Sequence, residues 1–130
     1  DLMVNLTAPI ILTVPVLQNM LTQGSGKLIF FGSSSSYQGF KDTSVYCSTK
    51  HGILGFSRSI AEETRERNIL TTIICPGTIN TKMAKNLITN KKIENYIDPN
   101  EVSNLLIDLT YMEPKSMWQE EIILKRRSYK

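Results

Sequence analysis

Three short apolar runs constrain this chain more than any other feature: residues 28–31 (LIFF), 70–75 (LTTIIC) and 122–124 (IIL). None alternates with polar residues, so each reads as a strand covered on both faces, the signature of a parallel sheet. Parallel neighbours need long crossovers, and the sequence supplies them. Between the first two runs, residues 43–58 (TSVYCSTKHGILGFSR) carry Ile53, Leu54 and Phe56, with Ile60 beyond, at helical spacing. That helix is expected to end near Arg67 and Asn68. Before the third run, Asp98-Pro99-Asn100-Glu101 is a helix start, with a capping residue, a proline in the first turn and a glutamate three after the cap. Val102, Leu105, Leu106 and Leu109 then form one apolar stripe. Strand, helix, strand, helix, strand makes two βαβ units and an α/β architecture.

Residues 1–20 read as a mostly apolar helix bent at Pro9 and Pro15, apolar so widely that it must be buried on more than one side. The prolines interrupt the only long apolar stretch, so no membrane span is expected. The chain opens on Asp1 with no basic lead-in, so no signal peptide is expected. The length of 130 residues suits one domain with a sizeable core. The net charge of +3 is misleading, because Lys125, Arg126, Arg127 and Lys130 all lie in the final tail. Residues 1–124 hold 11 basic and 12 acidic side chains, a net of −1, which argues against nucleic acid as a partner. The basic tail reads as a solvated end. Cys47 and Cys75 form no C-x-x-C pair, and His51 is the only histidine, so no metal site is expected and both thiols read as reduced, structural and cytoplasmic. His51 reads as a packing residue.

The first helix after a strand carries Tyr46 and Lys50, four residues apart and therefore on one helix face. A free tyrosine, with a pKa of about 10, is a poor acid or base at neutral pH. A lysine charge at about 4 Å, with an effective dielectric of about 20, favours the phenolate by at most about 4 kcal/mol. That corresponds to roughly three pKa units, enough to bring a tyrosine near a working range. Most Tyr-x-x-x-Lys pairs are nevertheless solvated neighbours, so the pair needs company to mean chemistry.

The loops after the strands supply it. Ligands of open parallel sheets bind beyond the carboxyl ends of the strands. The first strand runs into Ser33, Ser34, Ser35 and Ser36, and Ser33 lies 13 residues before Tyr46. The second closes on Pro76-Gly77, followed by Thr78, Ile79, Asn80 and Thr81. Residues 78–97 are polar and mixed, with Ile79, Met83, Leu87 and Ile88 as scattered apolar points. The GSGK at residues 24–27 lacks the spacing of a phosphate loop and precedes a strand instead of following one, so it carries no nucleotide.

These motifs together resemble the short-chain dehydrogenases/reductases. The resemblance rests on Asn5 in VNLTAP, on GKLIFFGS leading to Ser33, on Tyr46-x-x-x-Lys50, and on Pro76-Gly77-x-x-x-Thr81-x-Met83, four motifs in order across nearly the whole chain. It implies a Rossmann-like doubly wound parallel sheet, of which this chain holds the last three strands and their helices. It implies catalysis by Tyr46 as general acid/base, Lys50 as its pKa modulator and ribose contact, and Ser33 as hydrogen-bond partner of the substrate oxygen. Asn5 would keep a water connecting Lys50 to solvent, through a local break in the first helix. Thr81 and the backbone near Ile79 would bind the nicotinamide of NAD or NADP, with Pro76 and Gly77 shaping that wall. The implied reaction is hydride transfer between the cofactor and a carbonyl/alcohol substrate.

The departures from the family pattern are equally specific. No glycine-rich turn for the cofactor pyrophosphate occurs, nor an acidic or basic residue to read the adenosine ribose. Residues 1–130 are thus expected to be the C-terminal part of a single domain whose dinucleotide-binding half lies outside them, and to be inactive alone. The close EEIILKRR also lacks the glycines found in many members. The alternative is a truncated, non-catalytic dimerisation or binding module. In the family the two helices that carry Asn5 and Tyr46 pair across a two-fold axis. Gly52 and Gly55 are small enough to allow such an approach, so a homodimer or homotetramer is expected. The run at residues 28–31 is too apolar for an exposed edge strand and is expected to need a covering neighbour.

Overall fold

The computed structural model describes residues 1–87 and 96–127. Ile88, most of the segment before Asp98, and Lys130 of the basic tail lie outside the described residues. The elements follow the expected order. A π-helical turn (Met3–Thr7) leads into α1 (Ala8–Gln23), then β1 (Gly26–Phe31), a 3-10 turn (Ser34–Ser36), α2 (Ser44–Thr64), β2 (Ile69–Pro76), α3 (Lys82–Leu87), α4 (Pro99–Tyr111) and β3 (Glu121–Leu124). The sheet is parallel throughout, in the order β1-β2-β3.

Register decides the layers. Phe30 pairs with Ile73 and Leu28 with Thr71, and register partners share a face. On that face Leu28, Phe30, Ile73 and Cys75 pack with Ile53, Leu54 and Ile60 of α2, while Leu17 and Met20 of α1 close the cluster. Phe30 and Phe56 meet edge to face, with ring centroids 5.7 Å apart. Ile73 is 0% exposed, and full burial of such a side chain contributes about 1.5–3 kcal/mol. The opposite face carries Lys27, whose ammonium donates to the carbonyls of Thr110 (2.8 Å) and Met112 at the end of α4. α4 opens as expected: Asp98 Oδ1 accepts from the Asn100 N–H at 2.8 Å, a side-chain cap on an otherwise orphaned donor.

Several boundaries differ from the sequence reading. α1 continues to Gln23 and ends on Gly24, left-handed at φ 79, which gives GSGK its role as a helix stop. Its irregularity falls before Pro9 instead of at both prolines. Pro9 has no N–H to donate to the Asn5 carbonyl four residues back, and the chain there winds into a π turn, with the Ala8 N–H reaching Met3 O. Pro15 lies inside an uninterrupted α1. α2 stops at Thr64, and the turn behind it closes on Asn68 at φ 52. α3 was not legible as a helix; Thr81 Oγ1 caps it by accepting from the Ala84 N–H at 3.3 Å.

The expectation that both prolines interrupt the first helix is corrected. Residues Met3–Gln23 form one helical run long and apolar enough to cross a membrane by length and composition alone, a test that the core helix of a water-soluble protein also passes. Its prolines do not break it, and it carries no charge. Much of this helix lies bare: Leu12 is 65% exposed, and Ile11, Val14 and Val16 are exposed as well. Beside it, β1 stands at the edge of the described sheet, and Phe31 is 45% exposed. The strand read as too apolar for an edge is an edge here.

Candidate active site

The carboxyl ends of the strands bring most of the expected residues to one side of the sheet. β1 must turn sharply after Phe31. Gly32 makes this possible, because a Cβ there would sit 2.4 Å from Cys75 Sγ and 2.9 Å from Ser36 Oγ. Its N–H continues the ladder to Ile74 O at 2.8 Å. Ser33 is extended and caps the 3-10 turn reciprocally: its Oγ accepts from the Ser35 N–H, and Ser36 Oγ accepts from the Ser33 N–H, both at 3.1 Å. Ser33 Oγ therefore has an acceptor lone pair engaged while its O–H stays able to donate. The serine run is a fixed capping structure, with Ser35 and Ser36 buried, and it packs against α2.

Tyr46 and Lys50 lie on a common half-buried face of α2, with the Lys50 ammonium 5.7 Å from the Tyr46 ring centroid. Lys50 Nζ reaches back to the sheet and donates to Phe31 O at 3.1 Å, fixing the charge at the end of β1 two residues from Ser33. Burial holds the Lys50 ammonium below the usual lysine range, and the nearby Cys75 only partly offsets this. Behind the pair, Thr49 is 0% exposed and its hydroxyl donates to Tyr46 O at 2.7 Å.

Asn5 is half-buried in the π turn, which packs against α2. The contact needs a glycine: a Cβ on Gly52 would lie 2.8 Å from Leu6 Cδ2. Gly52 thus receives this chain's own π turn, whereas a Cβ on Gly55 would meet open space. On the far side, Pro76 is the last residue of β2, paired with Leu124, and the Gly77 N–H donates to Leu124 O at 2.8 Å. Ile79 bridges Ile97 in parallel, and the Asn80 N–H donates to Ile97 O at 2.9 Å. Thr81 is exposed, with its oxygen committed to capping α3 and its O–H left to donate. His51 is exposed and bonds within its own helix (Nδ1 to Cys47 O, 2.9 Å), so its expected packing role is corrected. Cys47 and Cys75 are both free and buried. Among the described residues no group of three or more His, Cys, Asp or Glu is placed to hold a metal ion.

One cluster was not legible beforehand. The Tyr37 O–H donates to Glu121 Oε2 at 2.6 Å, and Arg58 Nε donates to Glu121 Oε1 at 2.6 Å. The Arg58 hydrogen bond holds the Glu121 carboxyl below its usual range despite partial burial. Desolvation, then the bond to Glu121, push the Tyr37 phenol well above the ordinary tyrosine value. The cluster ties the loop behind Ser33 to α2 and β3. Separations of 84 and 63 residues left no local signal for it.

Comparison with known proteins finds one family. The model of the short chain dehydrogenase family matches residues 2–92. Carbonyl reductase family member 4 of Xenopus laevis is 33% identical over 113 residues, covering 83% of this chain and 48% of that protein. A solved betaketoacyl-[ACP] reductase (FabG) from Bacteroides thetaiotaomicron is 30% identical, with a TM-score of 0.70 over 85% of this chain and 45% of its own. A 4-hydroxyisoleucine dehydrogenase mutant, solved with NADH and succinate, has a TM-score of 0.84 at 21% identity, over 95% of this chain and 56% of its own. The chain spans about half the length of the curated relatives it matches.

Proposed function

Since the chain belongs to the short chain dehydrogenase family, we propose that it is the catalytic, C-terminal half of an NAD- or NADP-dependent oxidoreductase acting on a carbonyl/alcohol pair. The observation that supports this reading is the Lys50 ammonium, held by Phe31 O at 3.1 Å two residues before Ser33 and standing 5.7 Å from the Tyr46 ring centroid. The residues present fit the nicotinamide and ribose end of the cofactor. Lys50 offers a half-buried cation with N–H donors to spare for ribose hydroxyls, and Thr81 offers a hydroxyl proton beside the backbone of Ile79. Pro76 and Gly77, held at Leu124, would shape the wall of that site.

When bound, the cofactor supplies or takes the hydride. The protein's part is to meet charge on the substrate oxygen. The Tyr46 O–H gives its proton to that oxygen in reduction and recovers it in oxidation, while the Ser33 O–H donates a hydrogen bond to the same atom. Asn5, in the π turn, would keep a water on the path from Lys50 to solvent. Two buried thiols with no disulfide suit a cytoplasmic setting.

In the full-length protein, Tyr46→Phe is expected to lower carbonyl-dependent oxidation of NADH or NADPH by about 10²–10⁴-fold with cofactor affinity nearly unchanged. Lys50→Met should impair turnover and cofactor binding together. Near-normal turnover of Tyr46→Phe would remove the acid/base assignment.

A further inference from the structure

Two hydroxyls on different elements have to meet one substrate oxygen: that of Ser33, on the turn after β1, and that of Tyr46, on α2. Each must come within about 3 Å of the same atom, so the place of the turn against α2 matters to about 0.5 Å. Serine side chains offer little apolar surface to set that place. The caps among Ser33, Ser35 and Ser36 fix the shape of the turn, not its position in the molecule. Its start is tied to the sheet, where the Gly32 N–H donates to Ile74 O at 2.8 Å. Its end is Tyr37, whose N–H donates to Ser34 O at 3.2 Å.

Tyr37 carries the second anchor. Its O–H donates to Glu121 Oε2 at 2.6 Å. Arg58 of α2 holds the same carboxylate with two N–H groups, Nε to Oε1 at 2.6 Å and Nη2 to Oε2 at 3.3 Å. The planar fork of an arginine fixes a carboxylate in direction as well as in place, so the phenol meets an acceptor that is itself oriented. Desolvation and the bond to Glu121 keep the phenol protonated, and it stays a donor at any working pH. The following residue is tied too: the thiol of Cys47, next to Tyr46, donates to Gln38 O at 3.7 Å. Hydrogen bonds thus run without a break from the turn that bears Ser33, through Glu121 of β3, to the helix that bears Tyr46 and Lys50.

We propose that Tyr37 is a positioning residue, oriented by Glu121 and Arg58, that holds the Ser33 hydroxyl within reach of the substrate oxygen served by Tyr46. The proposal rests on the oxidoreductase reading above and adds the residue that sets its geometry. Tyr37 acts on the reaction through Ser33. The bond that Ser33 donates strengthens as charge builds on the substrate oxygen, so a displaced turn is felt in the chemical step more than in binding.

The test uses the full-length protein reducing acetoacetyl-coenzyme A, a 3-oxoacyl thioester, with NADH or NADPH. Tyr37→Phe removes one oxygen and keeps the ring. It should lower kcat about tenfold, short of the roughly 10²–10³-fold lost when an oxyanion donor is removed outright. Because the lost interaction belongs to the transition state, kcat and kcat/KM should fall together. In a Ser33→Ala background the same substitution should change kcat by less than about twofold, since the group it positions is gone. Glu121→Ala, which takes away the acceptor of the phenol, should repeat both results. Retention of kcat in Tyr37→Phe or in Glu121→Ala overturns the proposal and leaves the oxidoreductase reading standing. An equal loss with and without Ser33 does the same, because it makes the link a purely structural one. Absence of turnover by the unsubstituted protein with aldehydes, ketones and 3-oxoacyl thioesters alike overturns the oxidoreductase reading and the proposal with it.

Discussion

The two flanks of β2 are built to different standards. On the α2 side Ile53, Leu54 and Ile60 are buried, and the buried hydroxyls of Thr49 and Thr64 donate to Tyr46 O and Ile60 O. On the α1 side an apolar helix and an apolar strand face outward. A groove of about 210 Å³ runs between them, lined by Pro9, Leu12, Thr13, Val16 and residues 28–30. α1 is uncharged and apolar around most of its surface, whereas α2 confines its apolar residues to one stripe and carries Lys50, Arg58, Glu62 and Glu63, so α1 needs the more cover. The two also differ in what is present to cover them. The α2 flank finishes itself from residues of this chain. The α1 flank has the surface of a core without the layer that would complete it.

The sharpest way to break this contrast is to express residues 1–130 alone. An unpaired apolar edge strand templates association with other chains, so aggregation is expected, with rescue when the half of the domain outside these residues is supplied. A soluble monomer with a cooperative thermal transition would show that the α1 flank needs no cover. Within the full-length protein, Ile73→Ala should cost about 2–5 kcal/mol, read from chemical denaturation. Leu12→Ala separates the two views of the open flank. A covered Leu12 should cost a comparable amount, whereas a bare surface residue should cost under about 0.5 kcal/mol. A small loss would return this face to solvent.

Two glycines on one helix carry the comparison to smaller scale. Gly52→Val pushes a side chain into Leu6 and should cost about 1–3 kcal/mol, partly recovered by adding Leu6→Ala. Gly55 has open space, so Gly55→Ala should stabilise a monomer by up to about 1 kcal/mol through helix propensity. If α2 pairs with a second copy of this chain, as proposed for a homodimer, the sign reverses and the dimer weakens. Analytical ultracentrifugation of Gly55→Ala alongside its melting curve reads both effects.

What was legible in the sequence follows from how local each cause is. The three strands, the Tyr46 helix and the Asp98 cap are set by short-range periodicity and turn chemistry, and they lie within a few residues of where they were expected. Ser33 and Pro76-Gly77 could be read because they lie where strands end, and Tyr46 and Lys50 because four residues separate them on one helix. The π turn was half legible: Pro9 announced a defect, but only the geometry shows that it falls on Met3–Thr7. α3 escaped because its cap, Thr81, precedes a polar stretch without periodicity. The Tyr37–Glu121–Arg58 cluster and the bond from Gly77 to Leu124 depend on the parallel pairing of β2 with β3, which composition and local pattern do not encode. The continuity of the Met3–Gln23 run was misjudged: Pro9 stands at the start of α1, where a missing N–H costs least, and Pro15 lies inside α1 without ending it.

The smallest expected effect concerns that cluster, which joins the finished flank to β3. Glu121 holds Arg58 and Tyr37 at once, and its carboxyl sits below the usual range chiefly because of Arg58. A carboxylate depressed in the folded state contributes stability that is fully present above its unfolded pKa, about 4.3, and is lost as pH falls through the folded value. Arg58 is 57% exposed and Glu121 30%, so solvent screening limits the pair to about 1 kcal/mol or less. Glu121→Gln should therefore lower stability by up to that amount between about pH 6 and 8, and the difference should shrink below about pH 4 as the unsubstituted carboxyl protonates. The amide can still accept from Tyr37, which isolates the Arg58 component. Denaturation curves at pH 3.5 and pH 7 decide the matter: an equal gap at both would mean that Glu121 acts by packing and not by its charge.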